Sequence, residues 1–462
     1  MGGTIAAIST AAGEAGIGIV RLSGPDAIGI TGRMFRGPRG GGLPANSHSV
    51  VYGHVVDPRS GEIIDEVLVT VFRAPRSYTR EDVVEIGCHG GLAAVRGVLQ
   101  AALRAGARAA LPGEFTARAF LNGRLDLSQA EAVLDLVRSK TGRAAAAALA
   151  QLQGGLSGKV RRVREDLLDV VAWIEAGIDF PDEVGDPPGD ELAKQIGAAA
   201  LEIGRLLNSA GSGRILREGI RVALAGRPNV GKSSLMNALL RMERAIVTDV
   251  PGTTRDTIEE GANILGFPVT LVDMAGLRDT RDAVEAAGVA RARGEIEAAD
   301  VVVIVLDDSA GLGDEDRRAI DNARRAPGVR VVAVNKVDLG AGALARVDLE
   351  GLCGASRAVR VSARTGENIG ALEEAIVAAA GGTGSSGGSL AQVVVTNARH
   401  AAALERAAAA LDEAESGVKS GLPVDLASTA LRDAVDALGE ITGDTAGEEI
   451  IDRIFREFCV GK

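Results

Sequence analysis

Gly226, Gly231, Lys232 and Ser233 hold the fixed positions of G-x-x-x-x-G-K-[ST] in GRPNVGKS, residues 226–233. The apolar run IRVALA precedes this segment and the helix-like SSLMNALLRM follows it. A strand, a glycine-rich turn and a helix are therefore expected in that order. There the glycines let backbone N–H groups close around phosphate oxygens, helped by the positive end of the helix. Lys232 is expected to reach the terminal phosphates, and the Ser233 hydroxyl to ligate magnesium. Asn229, Val230 and Ser234 belong to the same nucleotide-binding loop.

Three companions follow in order. DMAG closes the strand-like VTLVD, putting Asp273 on the magnesium shell and the Gly276 amide near a γ-phosphate, with Met274 and Ala275 between them. NKVD follows VRVVAV: Asp338 can accept two guanine N–H groups, Asn335 borders the base, Lys336 lies along its plane, and Val337 is the spacer. SAR, residues Ser362, Ala363 and Arg364, supplies backbone contacts to the same edge. Adenine would leave those buried groups unpaired, the source of large discrimination. Four ordered motifs specify GTP. Between the first two lies TDVPGTTRD, where a switch segment belongs. It supplies Thr248, Asp249, Val250, Pro251, Gly252, Thr253 and Thr254, the last as a second magnesium hydroxyl. Leu277 stands where many GTPases place a water-orienting glutamine, so the chemistry must be organised by another residue.

These motifs need a parallel sheet with helices on both faces, and IRVALAG, VTLVDM, DVVVIVLD and VRVVAVNK read as its strands. Residues 1–120 read as a separate α/β part, with GIGIVRLSG, DEVLVTVF and EDVVEIGCHGG as strands. Residues 121–217 and 381–462 repeat apolar residues at helical spacing, so the unit at 218–380 is expected to be inserted in a discontinuous helical domain. In the last helix Ile450, Ile451, Ile454, Phe455 and Phe458 share one face after a Thr445…Glu448 capping box. The expected fold class is multidomain α/β plus all-α.

Composition limits the alternatives. A chain of 462 residues with 46% hydrophobic and 24% charged residues is neither disordered nor fibrous. At 2% aromatics, a base-stacking platform is not expected. The net charge of −11 means any nucleic-acid contact must use a local patch. No apolar run spans a bilayer, the first residues lack a secretory charge pattern, and three cysteines form no disulfide framework, so a cytoplasmic protein is expected. The four histidines lack metal-ligand spacing, which argues against zinc.

With RLSG at 21–24, VEIGCHGG at 84–91, PGEFTARAFLNGRLDLSQAEA at 112–132, IDFPDE at 178–183 and CVGK at 459–462, the chain closely resembles the tRNA modification GTPases that act on the wobble uridine. The resemblance implies a tetrahydrofolate-binding, dimerising N-terminal domain, a helical domain and a Ras-like G domain. It implies a homodimer activated by potassium and magnesium, joined by an FAD-dependent partner in a heterotetramer. Together they would install an aminomethyl or carboxymethylaminomethyl group at C5 of the tRNA wobble uridine. By the same resemblance Asn229, Thr248, Val250 and Thr253 surround potassium, and Glu285 positions attacking water. Arg21, Glu85, Arg124 and Lys462 contact a 5-formyl-tetrahydrofolate-like one-carbon donor, and Cys459 is a candidate reactive thiol. Read alone, Glu285 is a solvated helix charge, Arg21 and Arg124 are surface ion-pairing residues, and Cys459 is a small hydrophobe closing a helix. Cys88 and Cys353 read as core residues, and His89 as a turn hydrogen-bonder. Two positions depart from the family pattern: Arg80 replaces the usual glycine of SYTxED, and Met274 the usual threonine of D-T-A-G.

Overall fold

The computed structural model describes the chain apart from residues 1, 12, 184, 186, 242–258, 274–293, 295, 296, 341, 383–393 and 422. Its contacts form two compact units, Met1–Leu134 with Gly439–Lys462, and Asp135–Leu438.

The first unit is built on a seven-stranded sheet of β1 Ile5–Ile8, β2 Ile17–Ser23, β3 Phe35–Arg36, β4 Ser49–Val56, β5 Ile63–Phe72, β6 Val83–His89 and β7 Arg108–Ala109. The strand order is β3-β4-β5-β6-β2-β1-β7. Alternation along β2, β5 and β6 sends Val20, Leu22, Val69, Val71, Val84 and Ile86 to one face. Helices Ala27–Met34 and Leu92–Arg104 cover that face with Ile30, Met34, Val95 and Val98. Each such side chain contributes roughly 1.5–3 kcal/mol on burial. On the other side Phe115, from helix Glu114–Leu121, packs on Ile5, Ala7 and Ala110.

The contacts divide the chain elsewhere than the periodicity does. Segments 121–134 and 439–462, read above with the helical domain, pack inside the first unit. Phe455 and Phe458 form a cluster with Ala117, Leu127, Ala130 and Leu134, joined by Ile451 and Ile454. Ile450 stays exposed. The capping box does not form: helix Glu448–Arg456 starts at Glu448 itself, with Gly447 as its N-cap.

In the second unit, helices Gly142–Leu152, Gly155–Asp179, Gly189–Asn208, Ala210–Glu218 and Ala398–Lys419, with helix Val424–Thr442 as far as Leu438, supply the helical domain. Helix Gly155–Asp179 buries Leu156, Val160, Val163, Leu167, Val170 and Ile174, a single stripe at three-to-four spacing. The G domain has a six-stranded sheet: β8 Ile220–Ala225, β9 Glu259–Ile264, β10 Phe267–Asp273, β11 Val301–Asp307, β12 Val329–Asn335 and β13 Arg357–Arg360. Its order is β13-β12-β11-β8-β10-β9, with β9 alone antiparallel to its neighbour. β11, VVVIVLD, is buried at every residue, as expected of a parallel strand covered on both faces. Strand order reverses at β8, so a crevice opens beyond the carboxyl ends of β8, β10 and β11. Among the described residues no helix is long and apolar enough to cross a membrane.

Candidate functional site

The phosphate loop leaves the end of β8 and enters helix Lys232–Arg241. Asn229 adopts φ 63° and Gly231 φ 96°, turning successive backbone groups toward one concavity. At Gly231 a Cβ would strike the Asn335 amide, so this turn requires glycine. Lys232 Nζ donates to the carbonyls of Gly226 and Arg227, each at 2.9 Å, which holds the ammonium over the loop. Ser233 Oγ donates to Asp273 Oδ2 at 2.8 Å. A hydroxyl and a carboxylate thus converge from the loop and the end of β10, hard oxygen donors of the type magnesium takes. Val230 is buried, and Ser234 is exposed in the first helical turn.

The base-reading segments come to the same place. Asn335, 2% exposed, donates its Nδ2 to the Val230 carbonyl at 2.9 Å and accepts the Ala363 N–H at 3.0 Å. Lys336, in the left-handed conformation with φ 66°, donates Nζ to Asn229 O at 2.8 Å. Val337 N donates to Val361 O at 3.4 Å, joining the ends of β12 and β13. Ser362 Oγ donates to Asp338 Oδ1 at 2.8 Å, while Arg364 Nε stands 4.0 Å from Oδ2. The phosphate loop and the segments after β12 and β13 thus come together at one end of the sheet.

Thr248, Asp249, Val250, Pro251, Gly252, Thr253, Thr254, Met274, Ala275, Gly276, Leu277 and Glu285 lie outside the described residues.

A supporting layer went unnoticed in the sequence. Asp307, at the end of β11, accepts from Lys336 Nζ at 2.7 Å and from Ser309 N at 2.9 Å. Burial pushes this carboxyl up, but its hydrogen bonds outweigh that and hold it below the usual carboxylate range. Asp308 pairs with Arg360 at 2.5 Å, and Asp316 with Arg227 at 3.1 Å. The available signal was a buried strand ending in two aspartates.

In the first unit Arg21 and Glu85 are cross-strand partners on β2 and β6. Arg21 Nε and Nη2 both approach Glu85 Oε1 at 2.8 Å. Arg124 lies 4.7 Å from the Tyr78 ring centre and donates to the Tyr78 carbonyl at 3.1 Å, and Arg21 lies 5.5 Å from the same ring. Tyr78 thus gathers both arginines, a role the sequence reading overlooked. Cations over an aromatic face, beside a carboxylate, fit a ligand with a carboxylate tail and N–H donors. Arg80, the departure from glycine, does hold a left-handed φ of 59°, and its Nη1 donates to Asn122 O at 2.9 Å.

Cys459 is exposed. Its carbonyl accepts the Gly113 N–H at 3.4 Å and the Lys462 N–H at 3.3 Å, and Ser9 Oγ donates to Gly461 O at 3.2 Å. Val460 lines a cavity of about 320 Å³ together with Ile8, Leu92 and Leu99. Cys88 and Cys353 are buried, which pushes both thiols up to about 11. His89 Nδ1 pairs with Asp65 at 2.7 Å, which raises its pKa.

A loop shaped for phosphates on β8 and a carboxylate set for guanine beyond β12 are the two ends of one nucleotide site, so the second unit carries the G domain of a P-loop GTPase. The family model described as "MnmE helical domain" matches residues 127–459, and "GTP-binding protein TrmE N-terminus" matches residues 4–124. The tRNA modification GTPase MnmE of Symbiobacterium thermophilum is 52% identical over 461 residues, covering 99% of each chain. That of Moorella thermoacetica is 49% identical over 462 residues, again covering 99% of each. The solved G domain of the T. maritima FeoB iron transporter is 29% identical and covers 35% of this chain and 98% of its own, with a TM-score of 0.27. The chain belongs to the MnmE family of tRNA modification GTPases.

Proposed function

We propose that this GTP hydrolase couples nucleotide turnover to modification of tRNA at C5 of the wobble uridine, adding an aminomethyl or carboxymethylaminomethyl group with an FAD-dependent partner. The observation that carries the GTP half is the Asp338 carboxylate, oriented by Ser362 on the loop that Asn335 ties to the phosphate loop. Asp338 reads guanine, Lys232 binds the terminal phosphates, and the loop N–H groups and helix end receive the charge that develops on them. Ser233 and Asp273, with Thr254, would hold magnesium, which would supply positive charge against the phosphates.

Asn229, Thr248, Val250 and Thr253 are the proposed potassium ligands, pairing of two G domains in the homodimer activates hydrolysis, and Glu285 orients the water. The segments 248–254 and 273–276, with the NKVD and SAR residues, line the nucleotide. In the first unit Arg21, Glu85, Arg124 and Lys462 hold the one-carbon tetrahydrofolate, and Cys459 serves as the thiol of the modifying centre. Arg21 Nε and Nη2 both meet Glu85 Oε1, which leaves Oε2 able to accept from the ligand's N–H donors. The division into an N-terminal domain at 1–120, helical segments at 121–217 and 381–462 and a G domain at 218–380, and a cytoplasmic heterotetramer, belong to the same reading.

The experiment is steady-state GTP hydrolysis in potassium against sodium at equal ionic strength, which removes general screening. A potassium-specific gain, lost in Asn229→Ala, with hydrolysis also lost in Glu285→Ala, supports the cation-assisted dimer. Equal rates in both salts overturn the potassium assignment.

A further inference from the structure

Arg227, the second residue of the phosphate loop, has no part in the scheme above, yet it is held on both sides. Its Nε lies 3.1 Å from each carboxylate oxygen of Asp316. Its Nη2 lies 3.7 Å from Asp307 Oδ2. Asp316 is 1% exposed and also accepts the Gly313 N–H at 3.0 Å, so it caps helix Asp314–Arg324 while clamping the loop. The same Asp307 Oδ2 takes Lys336 Nζ at 2.7 Å.

These contacts close on themselves. Lys336 donates back to the Asn229 carbonyl at 2.8 Å, two residues along the loop from Arg227. Lys232 donates to the carbonyl of Arg227 itself at 2.9 Å. One strap, Asp316–Arg227–Asp307–Lys336, therefore spans the phosphate-binding and base-binding halves of the site. Its two carboxylates are nearly out of water, where removing one partner is felt by the others. Arginine suits the place because its planar fork spreads donors from Nε to Nη2, which reach carboxylates on two sides, whereas an ammonium is a single compact point charge.

We infer that Arg227 and Asp307 are positioning residues that fix the phosphate loop against the NKVD segment, so that base recognition and phosphate binding are energetically coupled. The inference rests on the GTP-binding reading of this site. Its effect is exerted through Lys336 and the loop backbone.

The test is a double-mutant cycle on the dissociation constant of a fluorescent GDP analogue, using the full chain with Arg227→Met, Lys336→Met and both changes. Failure of the unaltered chain to bind the analogue defeats the nucleotide reading itself. Given binding, each single change is expected to weaken it about tenfold, and the pair no more than about twofold beyond either alone. Independent contacts would multiply to roughly 100-fold, and that result overturns the coupling. Arg227→Lys keeps the charge without the fork and is expected to behave as Arg227→Met, whereas full recovery by lysine overturns the strap. Thermal unfolding is followed for every variant. Should Arg227→Met not fold, Asp316→Asn, which keeps shape and can still accept the Gly313 N–H, takes its place in the cycle.

Discussion

Ser362 Oγ donates to Asp338 Oδ1 at 2.8 Å, joining the segment after β13 to the segment after β12. Ser362 is fully buried, so the bond is shielded from water and fixes the carboxylate before any base arrives. The second oxygen is left to meet the ligand, with Arg364 Nε 4.0 Å away.

Asp338→Asn is therefore expected to exchange specificity. The amide presents a donor where guanine also presents one, while xanthine presents an acceptor there. GTP affinity should fall about 10³-fold or more, with a gain for xanthosine triphosphate. Ser362→Ala removes only the orienting bond and should weaken GTP by roughly fivefold, the equivalent of about 1 kcal/mol. Competition binding with the two nucleotides checks both.

Acid should loosen the first unit through Glu114. Arg108 approaches this carboxylate at 2.5 and 2.9 Å, Arg118 at 3.1 Å, and the Leu111 N–H at 2.9 Å. Burial alone would raise its pKa, but these donors outweigh that and hold it at about 2, against an ordinary value of 4.5. The stability it contributes is present above about pH 4.5 and is lost as pH falls toward 2. Glu114→Gln leaves Arg118, only 4% exposed, with Glu81 at 2.9 Å as its remaining ion-pair partner, and should cost about 1–3 kcal/mol at neutral pH. Calorimetry across this pH range should show a shallower acid slope in the variant.

Arg80 offers a cleaner comparison. Its left-handed backbone carries a penalty of about 1–2 kcal/mol that glycine avoids, partly offset by its bond to Asn122 O. Arg80→Gly should unfold at or slightly above the parent temperature. Arg80→Ala keeps the strain, loses the bond, and should unfold below it. The rank order glycine, arginine, alanine in a thermal scan is the check.

Gly461 has φ 99°, and a Cβ there would strike the Ile8 carbonyl. Gly461→Ala should lift the Cys459–Lys462 turn from β1. Under the proposed function, wobble-uridine modification in a reconstituted assay should then fall, while GTP hydrolysis stays within about twofold because the G domain is untouched. Nucleoside mass analysis and phosphate release read the two separately.

What the sequence revealed depends on range. The phosphate loop is a local geometry with local requirements, so Gly231 and Lys232 show themselves in eight letters. NKVD and SAR are legible for the same reason, as are β5 and β11, whose β-branched runs leave little choice. β1, IAAI, and β9, EEGANI, carry no such run and owe their pairing to neighbours. Arg227 and Asp316 lie 89 residues apart, and the aspartate in DED reads only as an ordinary first-turn acid. Tyr78 was equally hidden, because its two arginines come from distant segments. The C-terminal helix was visible, but the surface it covers depends on Ala117 and Leu127, which no periodicity of its own can name.

The pairing of 1–134 with 439–462 also has a consequence for biosynthesis. The first unit to leave the ribosome lacks the C-terminal segment that carries Phe455 and Phe458, and so leaves Ala117, Leu127 and Ala130 bare. About 300 residues must be synthesised before that segment arrives, a delay of roughly 15–60 s at ordinary elongation rates. During that interval the nascent chain presents an apolar patch to the cell, and this is when a holdase would find it.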